Sequence, residues 1–202
     1  MIKNIVFDIG NVLVDFGWKG FFEKFHLTDE QFKRVAMATV YSPVWNDMDM
    51  GVYSEEALLE KFIENDPGIE DILREIYVDF KGLLVQFDYA KPWIKELGDN
   101  GFKVYCLSNM SHKSVRENAD ALDFIAMLDG SVLSCHCKLC KPDRAIYELL
   151  FKRYELNPEE CIFIDDLERN VNAAIACGMK GILFKNREDA IKEIERIVKE
   201  EG

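Results

Sequence analysis

The sequence predicts an α/β protein with a parallel-sheet, Rossmann-like core and a small all-helical segment inserted after the first strand. Three features support this prediction. Residues 5–7 are continuously apolar, as in a strand buried on both faces of a parallel sheet. Residues 16–87 show the helical spacing of apolar side chains and no convincing buried strand. From residue 91 onward, predicted strands and helices alternate, which implies right-handed crossovers and a parallel sheet.

The first predicted strand ends at an aspartate. Asp8 directly follows the apolar run, so it lies at the carboxyl end of the strand, where open α/β sheets bind their ligands. Gly10 and Asn11 come next and favour a sharp turn. The backbone can therefore approach whatever Asp8 contacts.

The insertion is predicted to contain at least three helices. Thr28 and Gln31 form a capping box before the first of them. Ser54 caps the second, and the sequence at residues 66–68 breaks the chain before the third. We therefore divide the chain into a core of residues 1–15 and 88–202 and an inserted helical domain of residues 16–87.

The remaining elements alternate along the chain. Four further strands are predicted at residues 102–107, 131–134, 161–164 and 181–184. Helices are predicted to begin near Pro92, Ser111, Pro142 and Asn170, and the last helix has one apolar face that includes Ile191, Ile194 and Ile197. This order completes a five-stranded parallel sheet with helices on both faces.

Length and composition limit the class of protein. The chain has 202 residues, 49% of them hydrophobic, which suits a globular protein with a substantial core. Its 25 basic and 37 acidic residues give a net charge of −12, so we expect neither nucleic acid nor an acidic membrane surface as a general partner. No apolar segment is long enough to span a membrane, and the first strand begins too early for a signal peptide. The expected location is the cytoplasm, where the six cysteines would be reduced.

Polar side chains collect at the carboxyl ends of the predicted strands. They are Asp8 after the first strand, Ser108 and Asn109 after the second, Lys141 beyond the third, and Asp165 and Asp166 after the fourth. Carboxylates so close together repel one another unless a divalent cation holds them, and Mg²⁺ prefers oxygen ligands of this kind. A cation, a lysine and hydroxyl donors together form a site for an oxyanion such as phosphate.

Four short motifs give the chain a resemblance to a known family. They are Phe-Asp-Ile-Gly-Asn-Val-Leu at 7–13, Leu-Ser-Asn at 107–109, Lys-Pro-Asp at 141–143 and Phe-Ile-Asp-Asp at 163–166. In this order, each at the end of its element, they resemble the motifs of the haloacid dehalogenase-like hydrolase superfamily. The resemblance covers essentially the whole chain, and it implies that the helical insertion is a cap that closes over the substrate and selects it.

The resemblance also implies roles for these residues. Asp8 would be a nucleophile that attacks phosphorus and forms an aspartyl-phosphate. Ser108 and Asn109 would hold phosphate oxygens, and Lys141 would neutralise charge on both the phosphate and Asp8.

A Mg²⁺ site is implied beside this nucleophile. By resemblance, Asp166 together with Asp165 would anchor the ion, with Asp8 and the backbone carbonyl of Gly10 as further ligands. Asn170 stands where many relatives have another aspartate. Each of the site side chains also has an ordinary structural explanation as a turn, helix-cap or surface residue.

Gly10 departs from the pattern of the superfamily's phosphatases. They usually carry an aspartate at this position, which protonates the leaving oxygen and then activates water, help worth roughly 10² to 10⁴ in rate. Asp15 is a candidate substitute acid. The Asp-x-Gly-Asn-Val form also resembles a subgroup that includes α-D-glucose-1-phosphate phosphatases, whose anomeric leaving oxygen needs less help.

The leading hypothesis is a Mg²⁺-dependent phosphomonoesterase acting on a small phosphorylated metabolite, with a sugar phosphate as the expected substrate. One alternative is a metal-independent 2-haloacid dehalogenase, against which the acidic pair Asp165 and Asp166 counts. A phosphomutase is disfavoured because Gly10 offers no acid-base group. A catalytically silent phosphate-binding regulatory module is the alternative from a different class.

Two other groups of residues have competing explanations. Cys135, His136, Cys137 and Cys140 resemble zinc ligands but lack a second ligand pair, so reduced structural thiols are the favoured interpretation. In the insertion, Trp45, Asp47, Met48 and Asp49 precede Gly51 and are candidates to face the substrate. Packing in the core of the insertion accounts equally well for Trp45 and Met48.

Overall fold

A computed structural model describes residues 1–201 of the chain. The strands in this range are β1 (Asn4–Phe7), β2 (Val14–Phe16), β3 (Leu84–Gln86), β4 (Lys103–Ser108), β5 (Gly130–Leu133), β6 (Cys161–Asp165) and β7 (Lys180–Leu183). The α-helices are α1 (Trp18–Glu23), α2 (Asp29–Ala38), α3 (Pro43–Met50), α4 (Glu55–Asn65), α5 (Glu70–Tyr77), α6 (Ala90–Asp99), α7 (His112–Glu117), α8 (Ser134–Cys137), α9 (Arg144–Tyr154), α10 (Glu168–Ala176) and α11 (Arg187–Glu201). Short 3₁₀-helices cover Pro67–Ile69, Ala119–Met127 and Pro158–Glu160.

Five strands form one parallel sheet in the order β5-β4-β1-β6-β7. Strand β1 lies at the centre, and Phe7 at its end is in register with Cys106 of β4 and Ile164 of β6. The carboxyl ends of these three strands therefore lie side by side. The predicted α/β fold with a parallel sheet is confirmed.

The central strand is buried on both faces, as its continuous apolar run predicts. Ile5 and Phe7 belong to the hydrophobic core on one face of the sheet, where the Phe7 ring lies 4.7 Å from that of Trp93. Val6 belongs to the core on the other face, together with Tyr147 and other side chains. Burial of both faces fixes the strand and hence the position of the aspartate that follows it.

The helical insertion has a hydrophobic core of its own. Helices α1 to α5 contribute most of it, with side chains such as Val35, Met48, Phe62 and Leu73. The predicted caps are present, since Thr28 and Gln31 form the capping box of α2 and Ser54 caps α4. A separate core is the property expected of a distinct domain, although the division at residues 16 and 87 remains a prediction.

A two-stranded antiparallel ribbon lies at the two ends of the insertion. Strand β2 pairs with β3, with Phe16 opposite Leu84 and Val14 opposite Gln86. No strand is predicted here from the sequence, because strands of three residues are too short to show a periodic pattern. The predicted border at residues 15 and 16 falls within β2, and the border at residues 87 and 88 falls just beyond β3.

Several element boundaries differ from the predicted ones by a few residues. Helix α9 begins at Arg144 and not at Pro142, because the Asp143 side chain caps the helix by accepting a hydrogen bond from the N–H of Ala145. Ser134 begins the short helix α8 and does not end strand β5. In the part of the chain that the structure describes, no helix combines the length and the apolar character required to cross a membrane. The expected cytoplasmic location stays a prediction.

Candidate active site

Asp8 lies at the centre of the carboxyl edge of the sheet. Its N–H donates to the carbonyl of Ile164, which continues the pairing of β1 with β6 one residue beyond the strand. Its Oδ1 accepts hydrogen bonds from the Ser108 hydroxyl at 2.8 Å and from the Ile9 N–H at 2.6 Å. Lys141 Nζ lies 2.8 Å from the same oxygen. The side chain is therefore held in one orientation by three groups.

Lys141 is a buried cation placed between two carboxylates. Its Nζ lies 2.8 Å from Asp8 Oδ1 and donates to Asp165 Oδ2 at 2.7 Å. Burial by itself lowers the pKa of Lys141, but the charges of Asp8 and Asp165 outweigh it and raise the pKa. The lysine therefore keeps its positive charge beside the predicted nucleophile.

The Asn109 side chain positions the main chain of Lys141. Its amide donates to the Lys141 carbonyl at 2.9 Å, and its carbonyl accepts from the Lys141 N–H at 2.8 Å. This reciprocal pair fastens the loop after β5 to the end of β4. The contact of Asn109 with phosphate oxygens stays a prediction, because the structure shows its side chain engaged with Lys141.

The two consecutive aspartates at the end of β6 have different surroundings. Asp165 is fully buried, and both of its carboxylate oxygens accept hydrogen bonds, from Lys141, from Asn170 and from the Leu167 N–H. Asp166 is half-buried, and its Oδ2 accepts from Asn11 at 2.8 Å. Asp165 is thus saturated by donors within the protein, whereas Asp166 is less fully engaged.

An oxygen-rich group suited to a cation lies between these residues. One carboxylate oxygen each from Asp8, Asp165 and Asp166 lies within 4.8 Å of the others. The Asn170 Oδ1 atom lies nearby, buried and without a hydrogen-bond partner among the described residues. All donors in this group are oxygens, and such a set fits a hard cation such as Mg²⁺.

The raised pKa values of Asp8 and Asp166 also agree with a cation site between these carboxylates. Burial raises the pKa of Asp8 to about 7, and the charge of Asp165 adds to the effect, although Lys141 opposes it. Burial also raises the pKa of Asp166. A second positive charge in this space would favour the ionised forms of both groups.

A cavity of about 210 Å³ opens above Asp8. Its walls come from the core and from the insertion, and include Asp8, Gly10, Asn11, Phe16, Val40, Trp45, Asp49, Leu84, Ser108, Asn109, Met110, Lys141, Leu167, Arg169 and Asn170. The structure therefore brings the predicted nucleophile, lysine, serine and asparagine to one space. Asp15, the candidate substitute acid, is an exposed residue of β2 and is not among these lining residues.

Three lining or supporting residues are only partly predicted from the sequence, since Arg169 has no predicted role, Asn11 is predicted only to form a turn, and Asp49 only to face the substrate. Asn11 adopts a left-handed backbone conformation with φ of 56° and bonds to Asp166, while Arg169 and Asp49 contribute to the wall of the cavity. Asn at a turn signals only tolerance of positive φ. The positions of Arg169 and Asp49 depend on how α10 and the insertion pack, which sequence patterns do not encode.

The cysteine-rich segment contributes to a different cluster. Cys135 and His136 offer ligand atoms within 4.8 Å of one another and of His112, which comes from α7. Cys137 instead lies near main-chain carbonyls of its own segment. All six cysteines are free thiols, and the choice between structural thiols and a metal site stays a prediction.

Comparisons with known proteins give a consistent result. The family described as haloacid dehalogenase-like hydrolase matches residues 2–178. Flavin mononucleotide hydrolase 1 of Arabidopsis thaliana is 27% identical over 157 residues, which are 75% of this chain and 60% of that protein. Sesquiterpene phosphatase astK of Aspergillus oryzae is 25% identical over 199 residues, which are 97% of this chain and 96% of that protein. The chain spans between a tenth and three fifths of the length of the first curated relatives that it matches.

Among solved structures, a haloacid dehalogenase family enzyme of Bacteroides thetaiotaomicron in complex with magnesium and inorganic phosphate has the same fold. The TM-score is 0.69 at 20% sequence identity, and the match covers 92% of this chain and 95% of that one.

Proposed function

We propose that this chain, which belongs to the haloacid dehalogenase-like hydrolase family, is a Mg²⁺-dependent phosphomonoesterase acting on a small phosphorylated metabolite. The observation that carries the proposal is the convergence of Asp8, Lys141 and Asp166 beneath one cavity. These residues supply a nucleophile, a fixed cation and an acidic metal ligand. The phosphatases among its relatives support the same class of reaction.

Asp8 acts as the nucleophile in this proposal. Its Oδ1 already accepts three contacts, which leaves Oδ2 as the oxygen for attack. A bond forms between Oδ2 and phosphorus while the bond from phosphorus to the leaving oxygen breaks. Water then attacks phosphorus, breaks its bond to Oδ2 and releases inorganic phosphate.

The charge of the phosphate is balanced by fixed groups. Lys141 donates toward the phosphoryl oxygens and is held in place by its hydrogen bond to Asp165. The Ser108 hydroxyl, which donates to Asp8 in the structure, can turn to donate to a phosphate oxygen instead. Asp8, Asp166 and the Gly10 carbonyl would hold Mg²⁺. When bound, the ion supplies positive charge against the phosphate and the carboxylates.

Asp165 differs from the metal ligand that the resemblance implies. Its oxygens are taken up by Lys141, Asn170 and the Leu167 N–H. These contacts support a positioning role, in which Asp165 keeps the ammonium group of Lys141 charged and directed at the phosphate. Asp166 is then the principal ligand from this pair.

The residues in the wall of the cavity indicate which class of substrate fits. A sugar phosphate is the expected substrate, but Phe16, Val40 and Trp45 give the cavity a substantial apolar surface. This surface favours a second candidate, a phosphate ester whose leaving group is flat or apolar. Relatives named for a flavin nucleotide and for sesquiterpenes agree with this candidate.

One assay separates these possibilities. Phosphate release is measured from sugar phosphates, flavin mononucleotide, a prenyl phosphate and an aryl phosphate, with Mg²⁺ and with EDTA. Release that requires Mg²⁺ and is lost in Asp8→Asn supports the proposal. Turnover of 2-haloacids in EDTA, without phosphate release, would identify a dehalogenase instead. Binding of inorganic phosphate in calorimetry without turnover of any ester would identify a regulatory module.

A further inference from the structure

The proposed phosphatase reaction requires a proton donor that the first motif does not provide. Gly10 has no side chain, and Asp15 does not line the cavity. Apart from Asp8, Asp49 is the only carboxylic acid among the described residues that line the cavity. It comes from α3 of the insertion and lines the same cavity as Asp8.

The main chain of Asp49 is tied to the core. Its carbonyl accepts a hydrogen bond of 2.5 Å from the hydroxyl of Ser134, a fully buried residue at the start of α8. The same hydroxyl accepts from the N–H of Met110, the residue that follows the Leu-Ser-Asn motif. The end of α3 is therefore fastened to the loop that carries the phosphate-binding residues.

Gly51 allows this close approach of insertion and core. Its φ of 64° is in the left-handed region, and it ends α3 two residues after Asp49. A Cβ atom at this position would lie 3.0 Å from the carbonyl oxygen of Cys135 and 3.0 Å from the ring of His112. A side chain at this position would therefore push the end of α3 away from the core.

We propose that Asp49 is the general acid and base of the reaction, supplied by the insertion in place of the residue that Gly10 lacks. This inference rests on the proposed phosphatase function. In the first step Asp49 gives its proton to the leaving oxygen as the bond from phosphorus to that oxygen breaks. In the second step its carboxylate takes a proton from the water that attacks the aspartyl-phosphate. The products are the alcohol and inorganic phosphate, and Asp8 and Asp49 return to their starting forms.

The electrostatics of the position support this role. Burial raises the pKa of Asp49 to about 7, with a further contribution from the charge of Asp8 and an opposing one from Lys141. After burial, the charge of Asp49 is the next largest contribution to the raised pKa of the Cys135 and Cys140 thiols. An acid with a pKa near the working pH is suited to giving and taking a proton in one cycle.

The test uses leaving groups that differ in their need for a proton. Asp49→Asn keeps the shape of the side chain, and Asp47→Asn on the same helix is the matched control because Asp47 does not line the cavity. With Mg²⁺ present, we expect Asp49→Asn to lower kcat on alkyl phosphates by roughly 10²-fold or more. On an aryl phosphate with a good leaving group, we expect the loss to be only a few-fold, with a similar KM.

The dependence on pH gives a second readout. We expect kcat on alkyl phosphates to fall as the pH rises above the pKa of Asp49, and this limb to disappear in Asp49→Asn. Asp49→Glu should recover part of the alkyl activity, and Asp49→Ser replaces the amide variant if that variant does not fold.

The outcomes distinguish failure of the proposed role of Asp49 from failure of the proposed phosphatase function. An equal loss on alkyl and aryl esters, or no loss on either, would overturn the role of Asp49 while leaving the phosphatase function intact. Absence of phosphate release by the wild type from every ester would overturn the phosphatase function, and the inference with it.

Discussion

The ammonium group of Lys141 lies 2.8 Å from the carboxylate of Asp8, although the two residues follow different strands and are far apart in the chain. The pair forms because β1 occupies the centre of the sheet, with β4 and β6 on either side. Asn109 and Asp165, which follow or end those two neighbours, hold the main chain and the side chain of Lys141. The cation thus lies beside the proposed nucleophile before any substrate binds, and several consequences can be measured.

Asp8→Asn should abolish turnover. The amide retains the shape of the side chain but is not a nucleophile, so we expect kcat for phosphate release to fall by roughly 10³-fold or more. Steady-state assays with Mg²⁺ measure the effect, and a thermal melt shows whether the variant is folded. Retention of more than a tenth of the activity by the folded variant would exclude Asp8 as the nucleophile.

Asp165→Asn and Asp166→Asn should have different effects. Asp165 holds Lys141, so its amide variant should lower kcat by about 10- to 100-fold and leave the Mg²⁺ concentration for half-maximal activity nearly unchanged. Asp166→Asn should instead raise that concentration by at least about 10-fold. Titrations of activity with Mg²⁺ compare the two variants. A raised Mg²⁺ requirement in Asp165→Asn would show that Asp165 binds the metal, as the resemblance implies.

Gly10→Asp should supply the missing acid directly. A Cβ atom at this position has no atom within 4 Å, apart from its chain neighbours, so a side chain can begin here without a clash. In an Asp49→Asn background, we expect Gly10→Asp to raise kcat on alkyl phosphates by about 10- to 100-fold. Gly10→Asn is the matched control, since it adds similar bulk without an acid. An equal gain in both variants would show that the carboxyl group is not the cause.

Glu117→Ala should destabilise the junction between the insertion and the core. Glu117 accepts hydrogen bonds from the buried Lys113 at 2.8 Å and from the Phe80 N–H at 2.7 Å. Its removal leaves a buried ammonium group without its nearest carboxylate, which costs about 3 kcal/mol in the free energy of unfolding. Urea unfolding measures the loss. Glu70→Ala, which breaks an exposed helix pair with Arg74, should cost less than about 1 kcal/mol and serves as the control.

The same residue should make stability depend on pH. Burial alone raises the pKa of Glu117, but Lys113, the Phe80 N–H and Arg116 together outweigh burial and lower it. Because the folded pKa is below the unfolded one, the unfolded chain binds more protons, and stability rises with pH in this range. The contribution is complete above the unfolded pKa and is lost as the pH falls through the folded pKa. Unfolding free energies measured on the acid side should therefore vary less with pH in Glu117→Gln than in the wild type. Equal slopes would contradict the assignment.

The sequence predicted the sheet and the placement of its main chemical groups. The apolar run before Asp8 is typical of a strand buried on both faces, and alternation of strands and helices then implied parallel neighbours. Parallel strands end at one edge, so residues after different strands had to meet there. For this reason Asp8, Ser108, Lys141 and the aspartates at the end of β6 could be placed in one site.

The roles of neighbouring residues within that site could not be predicted in this way. Asp165 and Asp166 are adjacent and chemically identical, and they differ in burial and in hydrogen-bond partners, which only the structure shows. The ribbon of β2 and β3 is formed by residues distant in sequence, in strands too short to have a pattern.

The sequence by itself determined the fold and the placement of Asp8 and Lys141 at the edge of the sheet, because local apolar patterns and strand order dictate which residues reach that edge. Only the tertiary structure places Asp49 in the wall of the cavity that Asp8 also lines, with α3 joined to the core by the bond from Ser134 and by the close approach of the backbone at Gly51. The physical reason is that packing one domain against another depends on the shapes of both surfaces. A periodic pattern of apolar residues indicates which face of a helix or strand is buried, but it does not indicate which residues of the other domain pack against that face.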